Sequence, residues 1–136
     1  MTNAVIPNGI TDIGIYAFLD CHNLSNVIIP NSVTCLETGA FDRCYGLENI
    51  AIPNSVSSLG NWVFSYCDKL SSIEIGTNVT YIGTSMFYGC QSLSSITIPN
   101  NVSSIYDKAF YECNNLTDII LPNSITSIGS ESFYGC

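Results

Sequence analysis

Thiols are the reactive groups this chain carries in number: seven cysteines among 136 residues, beside a single histidine and eleven acids. Cys21, Cys44, Cys67, Cys90, Cys113 and Cys136 recur every 23 residues, and so do Phe18, Phe41, Phe64, Phe87, Phe110 and Phe133. Two chemistries are open to such a cysteine column. Flanked by the apolar Phe and Leu columns, the thiols can be buried as small hydrophobes stacked in a ladder. Alternatively, neighbouring rungs about 4.8 Å apart in a parallel stack lie within the Cα range of a disulfide. Counting thiols in native and denatured protein separates the two.

Other chemistry is sparse. His22 shares its column with Tyr45, Asp68, Gln91 and Asn114, a variable turn position. No Cys-x-x-Cys, His-x-x-x-His, phosphate-loop or calcium-loop spacing occurs, and the acids fall in scattered columns. No catalytic residue, metal site or cofactor is expected. Cys35 stands alone, in the column of Asp12, Ser58, Tyr81, Ser104 and Ser127, and reads as an outward thiol able to oxidise or cross-link. Asn-x-Ser/Thr sequons begin at Asn23, Asn78, Asn101 and Asn115. Asn78 and Asn101 are expected to point inward, which leaves Asn23 and Asn115 as the positions a glycan could reach.

The elements that position these groups follow from the period. Segments such as Leu47–Ile52 alternate apolar and polar residues, the pattern of a strand with one buried face. Copies one repeat apart must run parallel, side by side in one sheet. Pro after each strand, replaced once by Gly76, ends the ladder and opens a turn. Ser32, Ser55, Asn78, Asn101 and Ser124 are expected to form a polar ladder beneath those turns. A second short extended piece, as in Val33–Leu36, turns Val33 and Leu36 inward. Inward residues three apart at Phe110 and Cys113 then suit one turn of α- or 3₁₀-helix. Each unit can bury its apolar side only by stacking on its neighbours, so the fold is a solenoid. Its extent is residues 1–136, one body of six coils that start at Ile6, Ile29, Ile52, Ile75, Ile98 and Leu121.

The repeated Leu-x-x-Ile-x-Ile-Pro-x-Ser-Val-x-x-Ile-Gly-x-x-Ala-Phe-x-x-Cys pattern resembles the BspA-type leucine-rich repeats. It covers Leu24–Cys44, Leu47–Cys67, Leu70–Cys90, Leu93–Cys113 and Leu116–Cys136. The resemblance implies an α/β-type leucine-rich-repeat solenoid, with a single parallel sheet on one face and short second strands and helical turns on the other. It also implies a surface or secreted adhesion module, hence a cell-surface or extracellular address, although no signal peptide, end cap or anchor is recognised in the chain.

Composition narrows the partners. The net charge is −8, and the only basic residues are Arg43, Lys69 and Lys108, so no basic stripe exists to meet a phosphate backbone. No apolar run is long enough to span a bilayer. A protein or peptide ligand is therefore expected on the open sheet face. Its outward residues are Asn26, Asn49, Ser72, Ser95 and Asp118 in one column and Ile28, Glu74, Thr97 and Ile120 in the next, bordered by Glu48. Unopposed Glu48, Glu74 and Asp118 favour basic groups on the ligand. Tyr88, Tyr111 and Tyr134 make a second outward column on the turn side. The alternative function is head-to-tail self-association into filaments, with Met1, Ala4 and Ile6 at one end meeting Phe133 and Cys136 at the other.

Overall fold

The computed structural model describes all residues from Met1 to Cys136. Every strand in it is short, because each coil contributes only one row to each ladder. In chain order these are β1 (Asn3–Val5), β2 (Asp12–Ile13), β3 (Asn26–Ile28), β4 (Cys35–Leu36), β5 (Asn49–Ala51), β6 (Ser58–Leu59), β7 (Ser72–Glu74), β8 (Tyr81–Ile82), β9 (Ser95–Thr97), β10 (Ser104–Ile105), β11 (Asp118–Ile120) and β12 (Ser127–Ile128). Odd-numbered strands stack on one side and even-numbered strands on another, all in parallel register one repeat apart, as in Asn3 opposite Asn26 and Ser104 opposite Ser127. This is a parallel-strand β-solenoid.

Alternation decides which side chains enter the core. In β3, β5, β7 and β9 the middle residue is buried and its two neighbours are exposed. Those middle residues, Val27, Ile50, Ile73 and Ile96, join the Leu, Val, Phe and Cys columns in one continuous apolar cluster. Phe41, Phe64, Phe87 and Phe110 are completely buried. Their rings stack nearly parallel through the whole pile, with centroids 5.1 to 5.9 Å apart from Phe18 to Phe110 and 5.3 Å from Phe110 to Phe133. Offset stacking adds to simple burial in such a column.

The sheet is less continuous than the repeat implies. On the main face the hydrogen-bonded order is β1-β3-β5-β7 and, separately, β11-β9; on the second side it is β2-β4-β6 and β12-β10-β8. Both ladders are therefore interrupted at the coil that holds β7 and β8. On the second side the cause is Tyr81, where most coils carry a small side chain. Its phenol donates to the Leu59 carbonyl at 2.7 Å and accepts the Leu59 amide at 3.4 Å. Ser58 and Gly60 bond back to the preceding coil, so these Leu59 groups are the ones β8 would have engaged. Gly76 in the same coil stands where others have Pro, and the Pro53 carbonyl approaches it so closely that a Cβ there would clash.

No helix forms between the Phe and Cys columns, which corrects the expected helical turn. The amides instead alternate between two kinds of partner. Ala17, Leu19 and Cys21 bond three residues back within the coil, at 3.1 to 3.2 Å. Tyr16, Phe18 and Asp20 bond to Thr38, Ala40 and Asp42 of the next coil, at 2.8 to 3.1 Å. A helix needs a positive run of right-handed residues, whereas two positions per coil are left-handed here. One is Tyr16, Gly39, Trp62, Ser85, Lys108 and Glu131; the other is Asp20, Arg43, Tyr66, Gly89, Glu112 and Gly135, all with φ between 52° and 81°. Non-glycine residues at such φ cost about 1 kcal/mol each. The inter-coil bonds that this zigzag permits offset that cost.

Candidate functional site

The open face of the odd-numbered strands is built by subtraction. With Val27, Ile50, Ile73 and Ile96 turned into the core, the flanking residues have only solvent to face. Asn26, Asn49, Ser72, Ser95 and Asp118 are all exposed, as are Ile28, Glu74, Thr97 and Ile120 and the bordering Glu48. The face thus brings together all ten residues read from the sequence as outward. Its apolar members stand far out: Val5 is 71% exposed, Ile28 54% and Ile120 77%.

Its electrostatics are one-sided. Glu48 and Glu74 make no side-chain hydrogen bond or ion pair, while Asp118 accepts the neighbouring Thr117 hydroxyl at 3.2 Å. The Lys108–Glu131 ion pair and the His22–Asp20 hydrogen bond, both at 3.3 Å, lie on the turn side. Along the border, Ser25, Ser71 and Thr117 donate their hydroxyls to carbonyls of the preceding coil, at 3.0 to 3.4 Å. Those hydroxyls belong to the scaffold and are engaged before any ligand arrives.

Glu74 occupies a special position on this face. A groove of about 540 Å³ runs between the unpaired β7 and β9, lined by Ile73, Glu74, Ile75, Thr77, Thr97, Ile98, Pro99, Asn100 and Asn101. Two further grooves approach Glu74 from the other side, one over Ile28, Asn49 and Ala51 and one beside Pro53, Asn54 and Gly76. The same coil carries the two departures from the repeat, Gly76 in the Pro column and Tyr81 in a column of mostly small residues, and the groove lies where the ladder parts.

At the ends, Met1 is exposed, Ala4 half-buried and Ile6 buried, and they line an apolar groove of about 490 Å³ with Ile13 and Phe18. Phe133 is half-buried and Cys136 exposed at the opposite end. The two sets lie at opposite ends of the pile and make no contact within one molecule.

The cysteine column is all thiol, with no disulfide anywhere in the chain. Its role is more than packing. Cys44, Cys67, Cys90, Cys113 and Cys136 each direct Sγ–H at the carbonyl of the Phe in the preceding coil, at 3.0 to 3.3 Å. Burial pushes the Cys44 and Cys113 thiols up to about 12 and those of Cys67 and Cys90 well above the usual range. Such thiols are not nucleophiles at neutral pH. Cys35 is half-buried on β4 between Asp12 and Ser58, less open than its column suggested.

The polar ladder under the turns is present with one correction. Ser32, Ser55 and Ser124 are half-buried, but Asn78 and Asn101 are exposed. An Asn side chain is long enough to reach back from the rim, and theirs donate to the Asn54 and Thr77 carbonyls at 2.7 and 2.6 Å. Ser55 Oγ is buried without a partner. Asn23 and Asn115 are exposed, and Asn115 donates to the Gln91 carbonyl at 2.6 Å.

On the turn side Tyr88, Tyr111 and Tyr134 stack at 4.8 Å, as their column predicts. Two features there escape column reading: Tyr66, from an adjacent column, joins the stack at 5.2 Å, and Lys108 Nζ lies 5.5 Å from the Tyr111 ring centre. The Tyr88 hydroxyl is pushed up to about 12 by burial, then by Tyr66 and the Glu112 charge. Burial also raises the carboxyls of Asp42 and Asp68, each with one buried oxygen that has no partner. No three His, Cys, Asp or Glu side chains come close enough together to hold a metal ion. No helix is long and apolar enough to cross a membrane.

Comparison with known proteins assigns the family. The family model for the BspA type leucine rich repeat region matches in six copies, over residues 1–114 and 81–136. The chain is similar to the leucine-rich repeat protein of T. pallidum, with 31% identity and a TM-score of 0.94, covering 99% of this chain and 63% of that one. A leucine-rich repeat protein of Eubacterium ventriosum matches with 27% identity and a TM-score of 0.80, covering 99% and 43%. One from Bacteroides ovatus matches with 29% identity and a TM-score of 0.73, covering 94% and 39%. The chain therefore spans less than two thirds of each of these solved proteins. No curated protein matches. The chain belongs to the BspA-type leucine-rich repeat family.

Proposed function

We propose that this BspA-type repeat chain is a non-catalytic protein-binding scaffold of the adhesion kind, its 136 residues acting as one body of six coils. The ligand is a protein or an extended peptide, and it lies on the open face of the odd-numbered strands. One observation carries this reading: that face exposes Val5, Ile28 and Ile120 beside carboxylates of Glu48 and Glu74 that have no partner in the chain. Solvated polar surface accounts for the Ser and Asn columns, and Val5 and Ile28, opposite each other in the ladder, add an exposed apolar pair to it. Selection from a random linear-peptide display library tests it. Peptides that bind the wild-type chain are expected to lose binding to a double variant, Asn49→Arg with Glu74→Arg. Selected peptides that bind both proteins equally would place recognition elsewhere.

A second reading, stacking of molecules end to end, is favoured by the apolar groove over Met1, Ala4, Ile6 and Phe18 and by half-buried Phe133 at the far end. Apolar surface of this kind is what a further coil or a second copy would cover. A head-to-tail contact does not close on itself, so assemblies would lengthen with concentration. Sedimentation velocity across a concentration series reads this directly. A single monomeric species throughout removes the second reading.

A further inference from the structure

We propose that the sheet face takes a proline-rich segment in polyproline II conformation, anchored by one arginine at Glu74 and by apolar side chains three residues to either side of it. This deepens the sheet-face reading and rests on it.

The relevant column runs along the solenoid axis. Its members are Val5, Ile28, Ala51, Glu74, Thr97 and Ile120, with Val5 opposite Ile28, Ala51 opposite Glu74 and Ile120 opposite Thr97 in the ladders. From Ile28 onward the order along it is apolar, small, acidic, small, apolar, and Val5 extends the apolar end. The large aliphatic members stand far out, Val5 at 71%, Ile28 at 54% and Ile120 at 77%. Ile28 and Ile120 each lie two coils from Glu74, hence about 10 Å away where the parallel-strand spacing of about 4.8 Å holds, with the Ile120 side crossing the interval between β7 and β9 that is not hydrogen-bonded.

That spacing selects the ligand's conformation. A β-strand laid along the axis turns residues i and i+3 to opposite sides, so it cannot meet Glu74 and both isoleucines with one face. A polyproline II helix has three residues per turn and rises about 3.1 Å per residue, so i, i+3 and i+6 share a face at intervals of about 9 Å. The match between that interval and two coils is what brings one cation and two apolar side chains over Glu74, Ile28 and Ile120. Ala51 and Thr97, being small, leave room for the turns between.

The centre fits arginine. No Arg, Lys or His side chain of the chain lies within 4.0 Å of the Glu74 carboxylate, Lys108 being paired with Glu131 and His22 with Asp20. The groove beside it offers the hydroxyls of Thr77 and Thr97 and the side-chain oxygen of Asn100. Asn101 donates an amide hydrogen to the Thr77 carbonyl, which holds the side chain beside the groove with its Oδ1 as a further acceptor. A planar guanidinium can engage a carboxylate with two parallel bonds and still donate to neighbouring oxygens. Proline in the ligand lowers the ordering cost of binding.

The test uses the whole chain and three synthetic proline-rich peptides, read by fluorescence anisotropy. The first carries one arginine with a leucine three positions to either side; the second has the leucines moved to two positions; the third has citrulline for arginine. The first is expected to bind most tightly, with the second and third roughly fivefold or more weaker. Glu74→Gln is expected to weaken the first peptide about threefold to fivefold, with the loss shrinking as salt rises. Ile28→Thr and Ile120→Thr, both at exposed strand positions, are each expected to weaken it about fivefold. Equal binding of all three peptides, or no effect of Glu74→Gln, overturns the proposal. Absence of binding by the first peptide also overturns it. If the display selection still yields peptides lost on the double variant, the sheet face survives as the binding surface and only the polyproline assignment falls.

Discussion

A buried cysteine in this chain donates its thiol hydrogen to a phenylalanine carbonyl one coil back, and that carbonyl already accepts the amide of its own coil's cysteine. The residue therefore satisfies a backbone group that an alanine of similar size would leave with one partner. Burial that raises the thiols has a consequence for stability. Below about pH 9, the ordinary thiol value here, folded and unfolded chains both hold these protons and the cysteines contribute no slope. Above it the unfolded chain releases them first, while Cys44 and Cys113 keep theirs up to about 12. The folded state then binds more protons, so stability must fall with rising pH, by about 1.4 kcal/mol per pH unit for each fully buried thiol. Thermal melts are expected to be insensitive to the thiols from pH 6 to 8 and to drop steeply above 9. Thiol titration of the native chain at pH 8 is expected to leave Cys67 and Cys90 unreacted until denaturant is added; their immediate reaction would contradict the ladder.

At the scale of the element, the segment between the Phe and Cys columns departs most from its sequence. Phe110 and Cys113 are inward and three apart, the spacing of a helical turn, yet in every coil one left-handed residue lies two before the Phe and another lies between the Phe and the Cys. The signal was thin: Gly39, Gly89 and Gly135 fill only three of these twelve positions, and the rest hold Tyr, Trp, Arg, Lys, Glu, Asp or Ser. A glycine enters that region without a Cβ clash. Arg43→Gly, at an exposed position with φ of 57°, is expected to leave stability unchanged or raise it by up to about 1 kcal/mol in a denaturant titration. Arg43→Val, β-branched at the same φ, is expected to cost about 2 kcal/mol. A right-handed helical turn would give the opposite order. The Tyr81 phenol belongs to this scale too, since one long side chain at a position of small ones parts a ladder that the repeat would have continued.

For the molecule as a whole, stability is a sum over neighbouring coils. Phe64 has a ring above and below it, at 5.6 and 5.9 Å, and is completely buried. Phe18 has one neighbouring ring, at 5.1 Å, and is half-buried. Phe64→Ala is therefore expected to cost roughly 3–5 kcal/mol and to uncouple the coils on its two sides, seen as a split or broadened melt. Phe18→Ala in the same 136-residue chain is expected to cost less than half as much and to keep a single transition. Equal costs would mean that the ring column is not a nearest-neighbour stack.

By itself the sequence determined what depends on period: the solenoid, the inward columns, the exposed face with its unopposed acids and the stacked tyrosines. Each of these needs only that identical spacing be buried identically, and 23-residue recurrence states that directly. Tertiary structure alone decided whatever depends on the contact between one coil and the next. The thiol-to-carbonyl bonds, the left-handed turns, the ladder parted at Tyr81 and the groove beside Glu74 all arise there. Such contacts are set by backbone distances and side-chain reach across the coil interface, quantities that a repeating pattern of residue types leaves open.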